Sequence, residues 1–222
     1  MLFDIFRSGD IRMALIMLLM TVPAILVALT FHEVAHGYAA YKLGDPTAYN
    51  MGRLTLNPMA HLDPIGALLM LLVGFGYAKP VPVNARYFKN PKYGMAITAA
   101  AGPISNLILG IFAMLIVCTL ETYAAIWLTT LVGVVIYNLF FYFAYLNFVL
   151  AVFNMIPLPP FDGSRVLFAF LPDRYYFGIM KYERYIMIGV LVLMATDYFP
   201  FSAGNIAYSL MNAISALYGA VV

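Results

Sequence analysis

Cysteine and charge are what this chain has least of. Its single cysteine, Cys118, excludes an internal disulfide and leaves the redox compartment unread. Charged residues make up only 10% of the chain, where soluble domains carry about 25%. The net charge of +2 is small and scattered, which argues against a nucleic-acid partner. No polar stretch is long enough to form an appended soluble module, and no small-residue cleavage site follows the first apolar run. The N-terminus therefore reads as retained helix and not as a removable signal peptide. What fills the chain is apolar: 64% of residues are hydrophobic and the mean hydropathy is +0.90. Such a composition belongs in lipid. The expectation is one membrane-embedded domain over residues 1–222, all-α and polytopic.

The segments can be read in order. Residues 13–41 predict a first helix of about 40 Å at 1.5 Å per residue, more than the roughly 30 Å hydrocarbon core requires. Residues 42–64 are polar and turn-rich, and Arg53-Leu54-Thr55-Leu56 reads as a short strand. Ile65 to Tyr77 is apolar but too short to span, which predicts a re-entrant or half helix. A basic, proline-containing loop follows at 78–92. Two full spans are predicted at 93–119 and 124–156, with Glu121 marking the turn between them and Pro157-Leu158-Pro159-Pro160 stopping the second. A short helix after Asp162 leads to a span near 177–199 and a final apolar stretch at 203–222. The sum is about five to six membrane helices plus a re-entrant segment with short β-strands.

Lysine and arginine set the expected orientation. Placing loops 42–92 and 157–184 on one side gathers ten of the twelve basic residues there and leaves Arg7 and Arg12 opposite. By the positive-inside rule both loops are cytoplasmic.

The chemistry concentrates at His32-Glu33-Val34-Ala35-His36, inside the first apolar run. The string matches H-E-x-x-H, in which two histidines bind zinc and the glutamate acts as a base. At about 100° per residue the two imidazoles lie roughly 40° apart on a helix, close enough to share an ion. A charged glutamate between two histidines in an apolar helix is costly without such a purpose. A catalytic zinc needs three protein ligands and an open position. A metzincin would need Gly at 39 and His at 42, but these are Ala39 and Lys42. Glu121 falls in the opposite loop, Glu183 in a charged run, and Asp45 and Asp63 in turns, where solvated turn chemistry is the ordinary reading. Asp162 differs, because it follows a long apolar span and a proline break that lets it turn inward. Its plainer reading is a helix cap for 163–171.

With Asn154, Pro157, Asp162 and Gly163 in the pattern N-x-x-P-x-x-x-x-D-G downstream of H-E-x-x-H, the sequence resembles the site-2 protease family of intramembrane metalloproteases. The family segment usually reads L-D-G, whereas here Phe161 precedes Asp162. Ala101-Gly102-Pro103-Ile104-Ser105-Asn106 is similar to the family's G-P-x-x-N element. The resemblance covers roughly residues 20–170, the catalytic core, with C-terminal helices at about 175–222, and is to the short branch without a PDZ-like insertion.

The resemblance implies zinc-dependent hydrolysis of peptide bonds in transmembrane substrates, within or near the bilayer. One Zn2+ per chain would be held by His32, His36 and Asp162, with Glu33 as base. Asn154 would hydrogen-bond the substrate backbone or the developing oxyanion; otherwise it is an interhelical hydrogen-bonding residue. Residues 52–57 would pair as an edge strand with the extended peptide. Asn106 is packing glue or a group facing substrate, and His61 is a satisfied loop histidine, a substrate gate or an inhibitory fourth ligand. The expected setting is a multi-pass protein of the cell (inner) membrane with its active site toward the cytoplasm. The alternative is a membrane metal-ion transporter using the His/Asp cluster as a permeation site, which gives no reason for a glutamate directly after His32.

Overall fold

Lipid offers no hydrogen-bond partner to a peptide group, so a chain this apolar satisfies its backbone within helices. The computed structural model describes residues 11–64, 66, 78–194 and 202–222. Its helices are α1 (Ile11–Lys42), α2 (Thr47–Asn50), α3 (Pro91–Tyr123), α4 (Leu131–Asn154), α5 (Asp162–Phe168), α6 (Asp173–Lys181), α7 (Glu183–Met194) and α8 (Ala203–Val221). Three are long and apolar enough to cross a membrane: Leu18–Lys42 within α1, then α3 and α4. The starts of α3 and α4 are written in the sequence. The Asn90 side chain accepts from the Tyr93 N–H at 3.3 Å, with Pro91 at the first helical position. Thr130 accepts from the Gly133 N–H at 3.1 Å.

The three long helices lie side by side, α3 antiparallel to both others. His32 of α1 meets Asn106 and His36 meets Thr98, so numbering rises along one helix as it falls along the other. Likewise Glu121 of α3 meets Tyr137 of α4, while Asn106 meets Asn147. Toward the far end, α8 closes a core of Ala113, Met114, Val117 and Cys118 with Ala144, Phe148, Ala207 and Met211. Outside it, Leu19, Ile108, Phe112 and Leu131 stay exposed, as lipid-facing positions do. α1 and α4 end, and α3 begins, at the end of the bundle where His36 and Thr98 meet.

Several expectations change. Residues 53–57 form no strand. The Arg53 N–H is taken by the Ala48 carbonyl at 2.9 Å and the Thr55 carbonyl by His61 at 2.8 Å, so local partners replace a ladder. The only isolated β-bridge among the described residues pairs Leu62 with Ala78. The re-entrant segment expected at 65–77 lies outside the described residues, Gly66 excepted. Glu121 is inside α3, and the connection falls at 124–130, where Gly133 sits against the Trp127 backbone. The described part of the span expected at 177–199 is split at Tyr182 into α6 and α7. Charges at Lys181, Glu183 and Arg184 flank the break, and Glu183 is held by Arg165 of α5 at 2.9 Å. The last stretch is helical as α8, but Asn205, Ser209, Asn212 and Ser215 dilute its hydropathy. Three spans therefore stand among the described residues, where five to six were expected.

Candidate metal centre

Helical spacing brings His32 and His36 together on α1, with ring centroids 4.5 Å apart and planes nearly perpendicular at 89°. Their Nε2 atoms are 3.0 Å apart. Asp162 Oδ2 lies 3.2 Å from one and 3.3 Å from the other. The carboxylate arrives there because the chain reverses after α4. Prolines at 157, 159 and 160 end helical pairing, and Phe161 packs edge-on to Phe153 with centroids 4.5 Å apart. Gly163 then presses against the backbone just after α4: a Cβ there would lie 2.8 Å from the Ile156 carbonyl oxygen and closer still to that of Met155. Only glycine fits that approach.

The outer face of each imidazole is fixed as well. His32 Nδ1 is 2.6 Å from Asn106 Oδ1, and His36 Nδ1 is 2.7 Å from the Thr98 carbonyl oxygen. Both partners are acceptors, so the proton of each neutral ring sits on Nδ1 and the Nε2 lone pairs point at Asp162. Gly102 of α3 leaves the space for this, because a Cβ there would lie 2.6 Å from His32 Cε1 and closer to His36 Nε2.

Three lone-pair donors aimed at one point repel one another unless a cation lies between them. Tetrahedral zinc with bonds of about 2.0–2.2 Å sets ligand-to-ligand edges of roughly 3.3–3.5 Å. The observed 3.0, 3.2 and 3.3 Å fall within a few tenths of that. Among the described residues, these are the groups of three or more His, Cys, Asp or Glu that could hold a metal ion. Burial pushes the Asp162 carboxyl up; imidazoles protonated on Nε2 at His32 and His36 would outweigh it and hold the carboxyl well below the usual range. A metal ion would act in the same sense.

A cavity of about 410 Å³ opens beside this group, lined by Glu33, Thr98, Asn154, Pro80, Val81, Val83 and Arg165 among others. Glu33 Oε2 accepts the Val81 N–H at 2.8 Å. One N–H of the Asn154 amide goes to the Leu150 carbonyl at 3.0 Å. Asn106 is fully buried behind His32, with its amide nitrogen on the Ala28 carbonyl and Asn147. His61 lies outside the group; its Nε2 pairs with Thr55, and its own carbonyl accepts the Lys79 N–H at 2.8 Å.

Other residues matter that the sequence did not mark. Asp45 is not a solvated turn residue: it is fully buried, accepting from the Thr47 N–H and hydroxyl and, at 2.6 Å, from the Asn84 N–H. Arg53 Nη2 donates to the Lys79 carbonyl at 2.7 Å. The Asp45-Pro46-Thr47 spacing is an Asx-turn signal that could have pointed inward. Asn147, a polar residue within an apolar helix, could have been found by its cost in lipid. Val81 acts through its backbone and has no side-chain signature.

Residues 20–196 match the model of the family described as "Peptidase family M50". The chain is 42% identical over 175 residues to "Putative zinc metalloprotease YwhC" of Bacillus subtilis (strain 168), covering 79% of this chain and 80% of that protein. It is 25% identical over 180 residues to "Putative zinc metalloprotease Rip2" of Mycobacterium tuberculosis (strain ATCC 25618 / H37Rv), covering 78% of this chain and 66% of that one. "Zinc metalloprotease MJ0392" of Methanocaldococcus jannaschii (strain ATCC 43067 / DSM 2661 / JAL-1 / JCM 10045 / NBRC 100440) is 27% identical over 155 residues, 70% of this chain and 34% of that protein. No solved structure matches the chain.

Proposed function

Because the chain belongs to peptidase family M50, the site-2 protease family, it is an intramembrane zinc metalloprotease, and we propose that His32, His36 and Asp162 hold the zinc while Glu33 serves as the base. The convergence of three donors beside the cavity that Glu33 and Asn154 also line carries this reading. The matched family and relatives are metalloproteases, which leaves the transporter alternative without support.

When bound, zinc lowers the pKa of water and polarises a carbonyl. The protein's own residues do the rest. Asn106 and the Thr98 carbonyl orient the two imidazoles so that Nε2 of each faces the metal position. Glu33 takes the proton of the attacking water and hands it to the leaving amine. Its carboxylate is oriented by the Val81 N–H, which occupies Oε2. Asn154 offers the rest of its amide to the substrate backbone or developing oxyanion. Protein substrates in membranes follow from the family, and we assign cleavage to their transmembrane segments.

The test is Glu33→Gln. Zinc content is expected to remain at the parental level, while cleavage of a model transmembrane substrate in detergent falls by about 10²–10⁴-fold. Zinc retained with full turnover would remove Glu33 from the mechanism.

The orientation follows from the basic residues. We place the site toward the cytoplasmic side of the cell membrane, in a multi-pass protein, because the site's end of the bundle carries the lysine- and arginine-rich loops. In a Cys118-free background, a cysteine at Lys89 is expected to label from the cytoplasm. One at the exposed Ile126 is expected to label from outside. The reverse pattern would overturn the orientation and leave the chemistry untouched.

A further inference from the structure

Asn106 and Asn147 are both fully buried, in helices long and apolar enough to cross a membrane. A carboxamide in that setting is costly unless its groups are bonded, and these two form a chain that ends on His32. The chain has a direction. Asn147 Nδ2 donates at 2.8 Å to the Phe143 carbonyl, which can only accept. That leaves Asn147 Oδ1 facing α3, where Asn106 Nδ2 donates to it at 2.8 Å. Asn106 Nδ2 also donates at 3.1 Å to the Ala28 carbonyl, again a pure acceptor. With both N–H groups committed, Asn106 can present only its oxygen to His32 Nδ1, at 2.6 Å. The imidazole proton must then be on Nδ1, and the Nε2 lone pair is free to face Asp162 and His36.

We propose that Asn147 is a positioning residue of the zinc site: it fixes the orientation of the Asn106 amide, and through it the tautomer and ring angle of His32. Two backbone carbonyls, one on α1 and one on α4, set the sense of the whole relay, so the metal-facing lone pair is specified across three helices. Without Asn147, one buried N–H of Asn106 loses its partner and the amide nitrogen is held by the Ala28 carbonyl alone. The inference rests on His32 being a zinc ligand, as proposed above.

The experiment measures the zinc dissociation constant by chelator competition, and the visible spectrum of the cobalt-substituted protein, at a temperature where circular dichroism shows parental helix content. Asn147→Leu keeps the volume and removes the bonds; zinc affinity is expected to fall about tenfold, with a shifted cobalt spectrum. Asn147→Ser, too short to reach Asn106, is expected to do the same and serves if the leucine variant does not fold. Asn147→Asp is the rescue. A carboxyl buried there is protonated, so it donates to Phe143 and accepts from Asn106 in the same sense, and affinity and spectrum should stay parental. Parental affinity and spectrum in Asn147→Ser or Asn147→Leu would overturn the proposal, as would equal weakening in Asn147→Asp. His32→Ala separates the two levels: if it keeps parental affinity, the ligand assignment itself fails. If it loses zinc while Asn147→Ser does not, only the relay fails.

Discussion

Asp162→Asn is expected to remove zinc and activity together. The change is nearly isosteric, so it isolates charge and coordinating ability from shape. Structural zinc sites are worth about 10–16 kcal/mol over four ligands, which gives roughly 2.5–4 kcal/mol per ligand, or 10²–10³-fold in affinity. Three donors make this site depend on each of them. Without its carboxylate, two neutral imidazoles would be left holding a divalent ion at the edge of an apolar bundle, where uncompensated charge is most costly. Chelator competition reads the affinity and cleavage of a model substrate reads the activity; both should fall. Asp63→Asn is the control, because Asp63 is outside the group and its Oδ1 accepts the Gly66 N–H at 2.9 Å. Parental zinc affinity in Asp162→Asn would require a different third donor.

Gly102→Ala is expected to do comparable damage with a single methyl group. The added carbon would lie 2.6 Å from His32 Cε1 and closer to His36 Nε2. Neither ring can yield, since each is held from behind, His32 by Asn106 and His36 by the Thr98 carbonyl. Nor can α3 easily move, because Asn106 also ties it to the Ala28 carbonyl of α1. Overpacking of this kind typically costs about 1–3 kcal/mol of stability. The larger loss should be in zinc binding and turnover, at least about 10²-fold, because a displaced imidazole cannot complete the ligand set. Gly189→Ala in α7 meets nothing within 4 Å and is expected to leave both unchanged. A Gly102→Ala protein with parental zinc affinity would mean that α1 and α3 separate more readily than their hydrogen bonds imply.

The convergence of His32, His36 and Asp162 was legible because these side chains have few other reasons to be where they are. Two histidines four residues apart declare their common face through helical geometry, and Asp162 stands out by its cost after an apolar span. The helix starts at Asn90-Pro91 and Thr130 carry capping signals, yet the spans were expected from 93 and 124. What could not be read depends on where the backbone goes. Arg53–Leu56 has strand-like residues, yet Ala48 and His61 claim its peptide groups before a sheet can. Asp45 carries a turn signature whether the turn faces water or, as here, the Asn84 N–H. Beside the split at Tyr182, Glu183 finds Arg165, a contact with no local signal. Val81 touches Glu33 through an atom that nearly every residue possesses.

The segment passing over Glu33 is fastened away from the long helices. The Arg53 guanidinium and the His61 carbonyl grip Lys79, and the Asp45 carboxylate grips Asn84. The proposed zinc ligands, by contrast, are braced from α3 and the reversal after α4. The two assemblies meet at Glu33, at Gly37 beside Val81 and at Gly94 beside Phe88, but the hydrogen bonds that hold the one are not those that hold the other. A purified preparation can therefore carry a full complement of zinc and all its helix while the peptide over the base has slipped. For this enzyme, metal content counts molecules that are loaded, and only turnover counts those that are fit to work.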